Sequence, residues 1–414
     1  MGCCDAPGLM PIEEAMPIIL KNTPVVTETE TLAIEDAIGR VLAHDVSSPL
    51  NVPPFDNSAM DGYAVRIADL NRSLTMPLAG KSFAGAPFND EWPADSCVRI
   101  MTGAQIPKGC DAVIMQEDVT ADGESITFNV ELGSVRPQQH IRPTGDDIKT
   151  GQLALEKGTR LSARDLPMLA SLGVATVDVF RKPIVAVFST GDELKPVGTE
   201  LQAGEIYDSN RYGMRPLFDK FGCEVIDLGI IPDNEELLHQ AFEKAKSVAD
   251  VVVTSGGVSV GEADYTKDIL EQQGEISFWK LAIKPGKPFA FGSLGDALFC
   301  GLPGNPVSAF VTSYVLVQPL IAKLSGESQW KEAPSISAIS KSAFKKRPGR
   351  ADYQRAIFSV NQNGQLEVES TGNQSSGAFR SMSLANCFAI LERERGHVEI
   401  GETVQIQPFS SVMY

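Results

Sequence analysis

Ile184-Val185-Ala186-Val187-Phe188-Ser189-Thr190-Gly191-Asp192-Glu193 is the stretch that decides the fold. An apolar run ends in a small polar turn, and the same rhythm returns along the chain. Val225 to Ile231 is a second run, followed by Pro232-Asp233-Asn234. The helix expected next places Leu237, Leu238, Ala241, Phe242 and Ala245 on one face. Val251 to Val253 ends in Ser255-Gly256-Gly257, and a further helix is expected near Asp264. Leu298-Phe299-Cys300 ends in Gly301-Leu302-Pro303-Gly304-Asn305-Pro306, ahead of a long apolar helix. Strands alternating with helices specify an α/β unit with a doubly wound parallel sheet over 181–327. Ligands of such sheets bind at the carboxyl ends of the strands.

On either side the texture changes. Residues 8–45 read as helical, with Ile34, Ala37, Ile38, Val41 and Leu42 at helical spacing. Residues 46–144 carry short β-branched runs between Gly, Pro and Asp turns, the pattern of a small β insertion. Ser162-Ala163-Arg164-Asp165 is a variant capping box that opens a helix to about Gly173. It returns the chain to its first region, so 1–45 and 145–180 are expected to form one connecting domain. From 328 to 414 the runs Tyr353–Val360, Leu366–Glu369, Cys387–Leu391 and Thr403–Ile406 indicate a small sheet or barrel. The whole is an α/β multidomain chain.

At 414 residues the chain is long enough for several cores, roughly one per 150 residues. Hydrophobic residues at 43% and charged residues at 21% exclude disorder. A net charge of -17 argues against a nucleic-acid or acidic-membrane partner. An anionic ligand then requires locally gathered positive charge. The cysteines, Cys3, Cys4, Cys97, Cys110, Cys223, Cys300 and Cys387, form no C-x-x-C pair and read as reduced thiols of a cytoplasmic protein. The histidines show no zinc pattern. No apolar run approaches the roughly 18 residues of a membrane span, and no secretory leader is expected. Met1-Gly2-Cys3-Cys4 hints at lipidation, but Ala6 stands where the myristoylation pattern wants Ser or Thr.

The chemistry-bearing residues collect at strand ends. Asp192, Glu193, Asp208, Asp233 and Asp264 share one edge if the sheet is parallel. Such carboxylates suit Mg²⁺, and Asp233 and Asp264 equally suit helix capping. Ser255-Gly256-Gly257-Val258-Ser259-Val260-Gly261 follows a strand and precedes a helix. That arrangement turns backbone N–H groups toward an anion. In Lys280-Leu281-Ala282-Ile283-Lys284-Pro285-Gly286-Lys287-Pro288, an extended 280–284 would put Lys280 and Lys284 on one side. A bound anion would reconcile them, and the alternative is a solvated strand end. Asn305-Pro306 is a cap-and-proline helix start beside Gly301 and Gly304. Lys345-Lys346-Arg347-Pro348-Gly349-Arg350 is a second basic group, before Tyr353 and Arg355.

Together these segments resemble the molybdopterin molybdenumtransferase (MoeA) family, also found as the C-terminal domain of gephyrin. The carriers are Pro54 to Ala64, Ile100 to Ala104, Arg142 to Asp147, Ser189 to Leu194, Ser255 to Gly261, Lys284 to Pro288 and Gly301 to Ser308. The resemblance implies an elongated connecting domain, a β insertion domain, a molybdopterin-binding α/β domain and a C-terminal β-barrel domain. It implies that adenylylated molybdopterin and molybdate are the substrates, that Mg²⁺ is the cofactor, and that AMP is released. It implies a homodimer in which the C-terminal domain of one subunit completes the site of the other, with a molybdopterin adenylyltransferase acting upstream. Carried over residue by residue, catalysis falls to Asp264, Glu193, Lys280, Lys284 and Thr102. Ligand binding falls to Ser255, Gly256, Gly257, Ser259, Lys284, Lys287, Pro303, Gly304, Asn305, Ser308, Arg355 and Ser376. Metal binding falls to Asp233, Asp264, Glu193 and Asp147. Tyr353 stands where Phe is more usual, and Asn373-Gln374-Ser375-Ser376 varies a Gln-Gly-Ser pattern. An adenylyltransferase would need the α/β unit alone. A gephyrin-like scaffold would be expected to carry an adenylyltransferase domain and a long linker.

Overall fold

The structure, a computed structural model, describes residues 8–257, 269, 272–410 and 413. Its central sheet has six strands in the order Glu224–Ile231, Ile184–Thr190, Val251–Ser255, Ala297–Leu302, Pro288–Leu294, Gly274–Lys280. The first four are parallel and the last two antiparallel, so the sheet is mixed rather than wholly parallel. Val251 to Val253 are fully buried because helices cover both faces. On one face the helix Glu235–Val248 buries Leu238, Ala241, Phe242 and Ala245. Leu237, expected on that face, is 44% exposed. On the other face lie the first helix, Ile12–Asn22, the helix Asn210–Lys220 and a helical run from Pro306 to Leu324. That run has 19 residues and a mean hydropathy of 1.5, enough to span a membrane by length and composition. With 78% of its apolar window buried inside the fold, it is a core helix.

The helix expected over Ala33–Leu42 does not form. Thr29–Ala33 is a strand antiparallel to Thr176–Phe180, and only one 3₁₀ turn follows at Ile34–Asp36. Gly39 adopts φ 77°, which a continuing helix does not permit. The apolar spacing still buries Ile34, Ala37 and Leu42 together, but through a turn.

The β insertion is a six-stranded sheet in the order Ala112–Met115, Gly62–Val65, Cys97–Ile100, Thr75–Ser82, Ser125–Phe128, Val119–Asp122. In the C-terminal region Ala351–Val360, Leu366–Ser370, Ile336–Ser340, Thr403–Pro408 and Cys387–Leu391 close into a five-stranded barrel. Closure removes the sheet edges. The two-residue strand Ile283–Lys284 adds to it, parallel to Ala351–Asp352.

Arg181, just past the strand Thr176–Phe180, grips Asp250 with two parallel bonds of 2.7 Å, and Asp250 also accepts from the Ile184 N–H at 2.7 Å. Burial works to raise the Asp250 carboxyl, but these donors outweigh it and hold it below the usual aspartate range. The contribution is therefore complete above the unfolded value of about 3.9 and lost as pH falls through the folded value. Asp250→Ala is expected to lower unfolding free energy by about 2 kcal/mol at pH 7. It should also flatten the stability loss below about pH 4. Urea melts across pH 3–7 check both.

Candidate active site

At the carboxyl ends of the parallel strands lies a cavity of about 780 Å³. Each wall follows from a local rule. Gly256 and Gly257 leave the strand Val251–Ser255 with φ of 95° and 64°, the left-handed region that glycine alone adopts cheaply. A Cβ on Gly256 would stand 2.7 Å from the Thr190 carbonyl oxygen. Asn305 and Pro306 start the long helix, and Ser308 in its first turn faces the cavity. Lys284 and Lys287 come from the Lys284–Pro288 turn. Arg350, Gln374, Ser375 and Ser376 come from the barrel of the same chain.

Glu193, Ser255, Gly256, Gly257, Lys284, Lys287, Pro303, Gly304, Asn305, Ser308 and Ser376 all line this space. Lys284 Nζ lies 3.1 Å from Asp352, a carboxylate that is 2% exposed and also accepts from Gln354. The α/β unit and the barrel thus meet within one chain. That junction is made by residues of one chain.

Other expected residues lie elsewhere. Lys280 ends the strand Gly274–Lys280, Leu281 is buried beside Met10, and Ile283–Lys284 joins another sheet. The segment is not one extended strand, so the alternation that would pair Lys280 with Lys284 does not apply, and Lys280 is not among the residues lining the cavity. Arg355 is 1% exposed and bonds Ser381 Oγ at 3.0 Å and the Ser375 carbonyl at 3.1 Å. Burial, only partly opposed by Asp352, pushes its guanidinium down to about 10. It braces the loop that carries Ser376 from beneath, while Arg350 supplies the cation that lines the cavity.

Thr102 sits in the β insertion, where its N–H and hydroxyl both donate to Asp61 Oδ1, at 2.7 and 2.8 Å. The backbone bond, and after it the hydroxyl bond, hold the Asp61 carboxyl low. Asp147 pairs its N–H with the Val52 carbonyl. Neither residue lines the cavity. Asp233 neighbours the cavity's acidic corner, its N–H bonded to Asp192 Oδ1 at 3.0 Å. Burial first, then the charges of Asp192 and Glu193, raise its carboxyl. Ser259 and Asp264 lie outside the described residues. Among the described residues, no three His, Cys, Asp or Glu side chains form a ready metal cage. Burial raises the described thiols, Cys97 to about 12 and Cys110 to about 11, and none lines the cavity.

The reading of site residues from sequence passed over Asn210 and Arg350. Asn210 opens the helix Asn210–Lys220, and its amide donates to Ser255 Oγ and, at 2.7 Å, to the Gly304 carbonyl. Asp208 had been seen only as a strand-end carboxylate. It is buried between the Ser189 hydroxyl at 3.0 Å and Arg211 Nε at 2.9 Å. The Asp-Ser-Asn run before that helix was the available signal.

A glycine-turn α/β site walled by a C-terminal barrel and carried with a β insertion defines a multidomain ligand-binding protein. Residues 186–323 match the family described as "Probable molybdopterin binding domain". Residues 10–173 match "MoeA N-terminal region (domain I and II)", and 337–409 match "MoeA C-terminal region (domain IV)". The chain is 56% identical over 406 residues to the molybdopterin molybdenumtransferase of Haemophilus influenzae, covering 98% of this chain and 100% of that one. It is 34% identical to that of Bacillus subtilis, covering 92% and 89%. It is 32% identical to gephyrin of Dictyostelium discoideum, covering 96% of this chain and 62% of that one. Its fold superposes on a MoeA protein of Pyrococcus horikoshii with a TM-score of 0.83 at 30% identity, over 97% of this chain and 100% of that one. The chain belongs to the molybdopterin molybdenumtransferase family and is an enzyme of molybdenum cofactor biosynthesis.

The two arginines are expected to separate in mutants. Arg355→Ala should cost about 3 kcal/mol of stability, because buried partners lose their donor. Arg350→Ala should cost less than about 1 kcal/mol while weakening turnover. Urea denaturation of each variant alongside an assay of molybdenum cofactor formation reads both effects.

Proposed function

We propose that the chain inserts molybdate into adenylylated molybdopterin with Mg²⁺-dependent release of AMP. The observation that carries this reading is the charge layout of the cavity. Lys284, Lys287 and Arg350 line it together with Glu193 and Asp208, in a chain of net charge -17. Molybdate is a dianion, and these cations suit it. The hydroxyls of Ser308 and Ser376 can donate to its oxygens. The glycine turn after Ser255 offers N–H groups to the substrate's phosphates. The sulfurs that receive molybdenum belong to the substrate, so no protein thiol is required.

Glu193 lines the cavity, and Asp192 and Asp233 beside it offer the oxygen donors that a hard cation takes, although the three do not form a closed cage. Asp264 joins them by resemblance alone. Bound there, Mg²⁺ would offset negative charge on the phosphate bridge as the bond to AMP breaks. The substrate would come from an adenylyltransferase acting upstream, and a cytoplasmic site of action, away from nucleic acid and membrane, completes the reading.

We further propose a homodimer that brings Thr102 and Asp147 of one subunit to the cavity of the other. Supporting it, Asp61 and Asp56 pin Thr102 and Thr144 against the 54–62 loop, which holds Phe55 39% and Met60 41% exposed. Symmetric dimers are the commonest oligomers and create two equal sites.

The deciding experiment incubates purified protein with adenylylated molybdopterin, Mg²⁺ and molybdate, then assays AMP and active cofactor. AMP release that ignores molybdate, or ATP consumption that forms the adenylylated substrate, would move the chain to the adenylyltransferase step. Lys284→Ala is expected to raise the molybdate KM about tenfold, and Lys284→Arg less, because the charge is kept while the fork geometry differs. Co-expressing differently tagged Lys284→Ala and Asp147→Ala chains should restore part of the activity in the doubly selected heterodimer. Stable heterodimers without recovery would mean that each site is built within one chain.

A further inference from the structure

We infer that Asn210 is a positioning residue that sets the separation of the two strand-end turns forming the cavity floor, and so selects for the phosphate-bearing substrate. The inference rests on the function proposed above.

Ser255 ends one parallel strand, and Gly304 lies in the turn after its neighbour, Ala297–Leu302. The two turns touch. The Gly256 N–H donates to the Leu302 carbonyl at 3.2 Å, and a Cβ built on Gly304 would lie 3.9 Å from Gly256 Cα. One nitrogen, Asn210 Nδ2, bridges them by donating to Ser255 Oγ on one side and the Gly304 carbonyl on the other. A primary amide carries two donors on one atom, which the shorter and acceptor-bearing side chains lack.

The amide's orientation is determined by chemistry. Flipped, Oδ1 would face the Gly304 carbonyl, acceptor against acceptor. In the orientation present, Oδ1 is buried with no partner among the described residues. A desolvated, unpaired carbonyl oxygen costs stability. A side chain that serves only packing would shed that cost by becoming aliphatic. Asn210 keeps it in a wall of the cavity, where the clamp fixes the two turns that line the site. Stability given up at a site is a recurring mark of function. The lysines that face molybdate stand on a separate turn, Lys284–Pro288, so loosening the clamp should act on one substrate and spare the other.

The test uses the full-length protein with Asn210→Leu, which keeps size and removes the buried oxygen, and Asn210→Asp, which keeps shape and removes both donors. Steady-state AMP release is measured while each substrate is varied in turn. Both variants should raise the KM for adenylylated molybdopterin about tenfold, the worth of one well-made hydrogen bond. The KM for molybdate should stay within about threefold. In Asn210→Leu, relief of the buried oxygen offsets part of the loss of two donated bonds, so its thermal midpoint should stay within about 4 °C of the wild type. Calorimetric titration with AMP plus Mg²⁺ should show about the same tenfold weakening, a readout that survives even if turnover proves to be a different reaction. An unchanged KM and AMP affinity in both variants would overturn the inference. So would a parallel rise of both KM values with a midpoint lowered by more than about 4 °C, which would make Asn210 a general structural contact.

Discussion

The cavity exists because two residues leave one sheet and join another. Ile283 and Lys284 pair with Ala351 and Asp352, so the barrel is docked to the α/β unit by main-chain bonds at the point where Lys284 emerges. Asp352 is nearly inaccessible, and a carboxylate so placed demands a cation. Lys284 answers it from the rim of the cavity. The barrel then brings Arg350 and the 374–376 loop over the strand ends, and Arg355 holds that loop from below. Without this junction the α/β unit would still carry its glycine turns, but the far wall of the site would be missing.

Charge is distributed on the same plan. A chain with a net charge of -17 repels anions on average, and it brings three cationic side chains to the lining of the cavity. Glu193 lines the same cavity, and its charge and that of Asp192 act on Asp233 nearby. Asp208 is neutralised by Arg211, which also reaches Asp227. The site therefore brings cationic and acidic side chains to one cavity in a chain that is acidic overall.

The sequence by itself determined the parts that obey local rules. Ile184–Phe188, Val225–Ile231 and Val251–Val253 are strands because runs of β-branched and apolar residues ending in turns have little else to form. The residues of the Ser255–Gly257, Lys284–Pro288 and Pro303–Ser308 turns could be named because Gly, Pro and Lys carry their conformational and electrostatic character wherever they sit. Other matters were decided only by tertiary structure. Ala33–Leu42 has helical spacing, yet pairing with Thr176–Phe180 and the turn at Gly39 use that spacing differently. Lys280 and Lys284 are neighbours in sequence but belong to different sheets. Arg355 looks like an anion ligand in a basic stretch, and the barrel instead turns it inward while Arg350 reaches the cavity. Asn210 gave no periodic signal because its role depends on two turns roughly fifty and ninety residues away, 45 and 94 positions along the chain. Periodicity and turn chemistry act over a few residues. The partners of a side chain across a sheet, a barrel or a cavity are set by packing that no local pattern encodes.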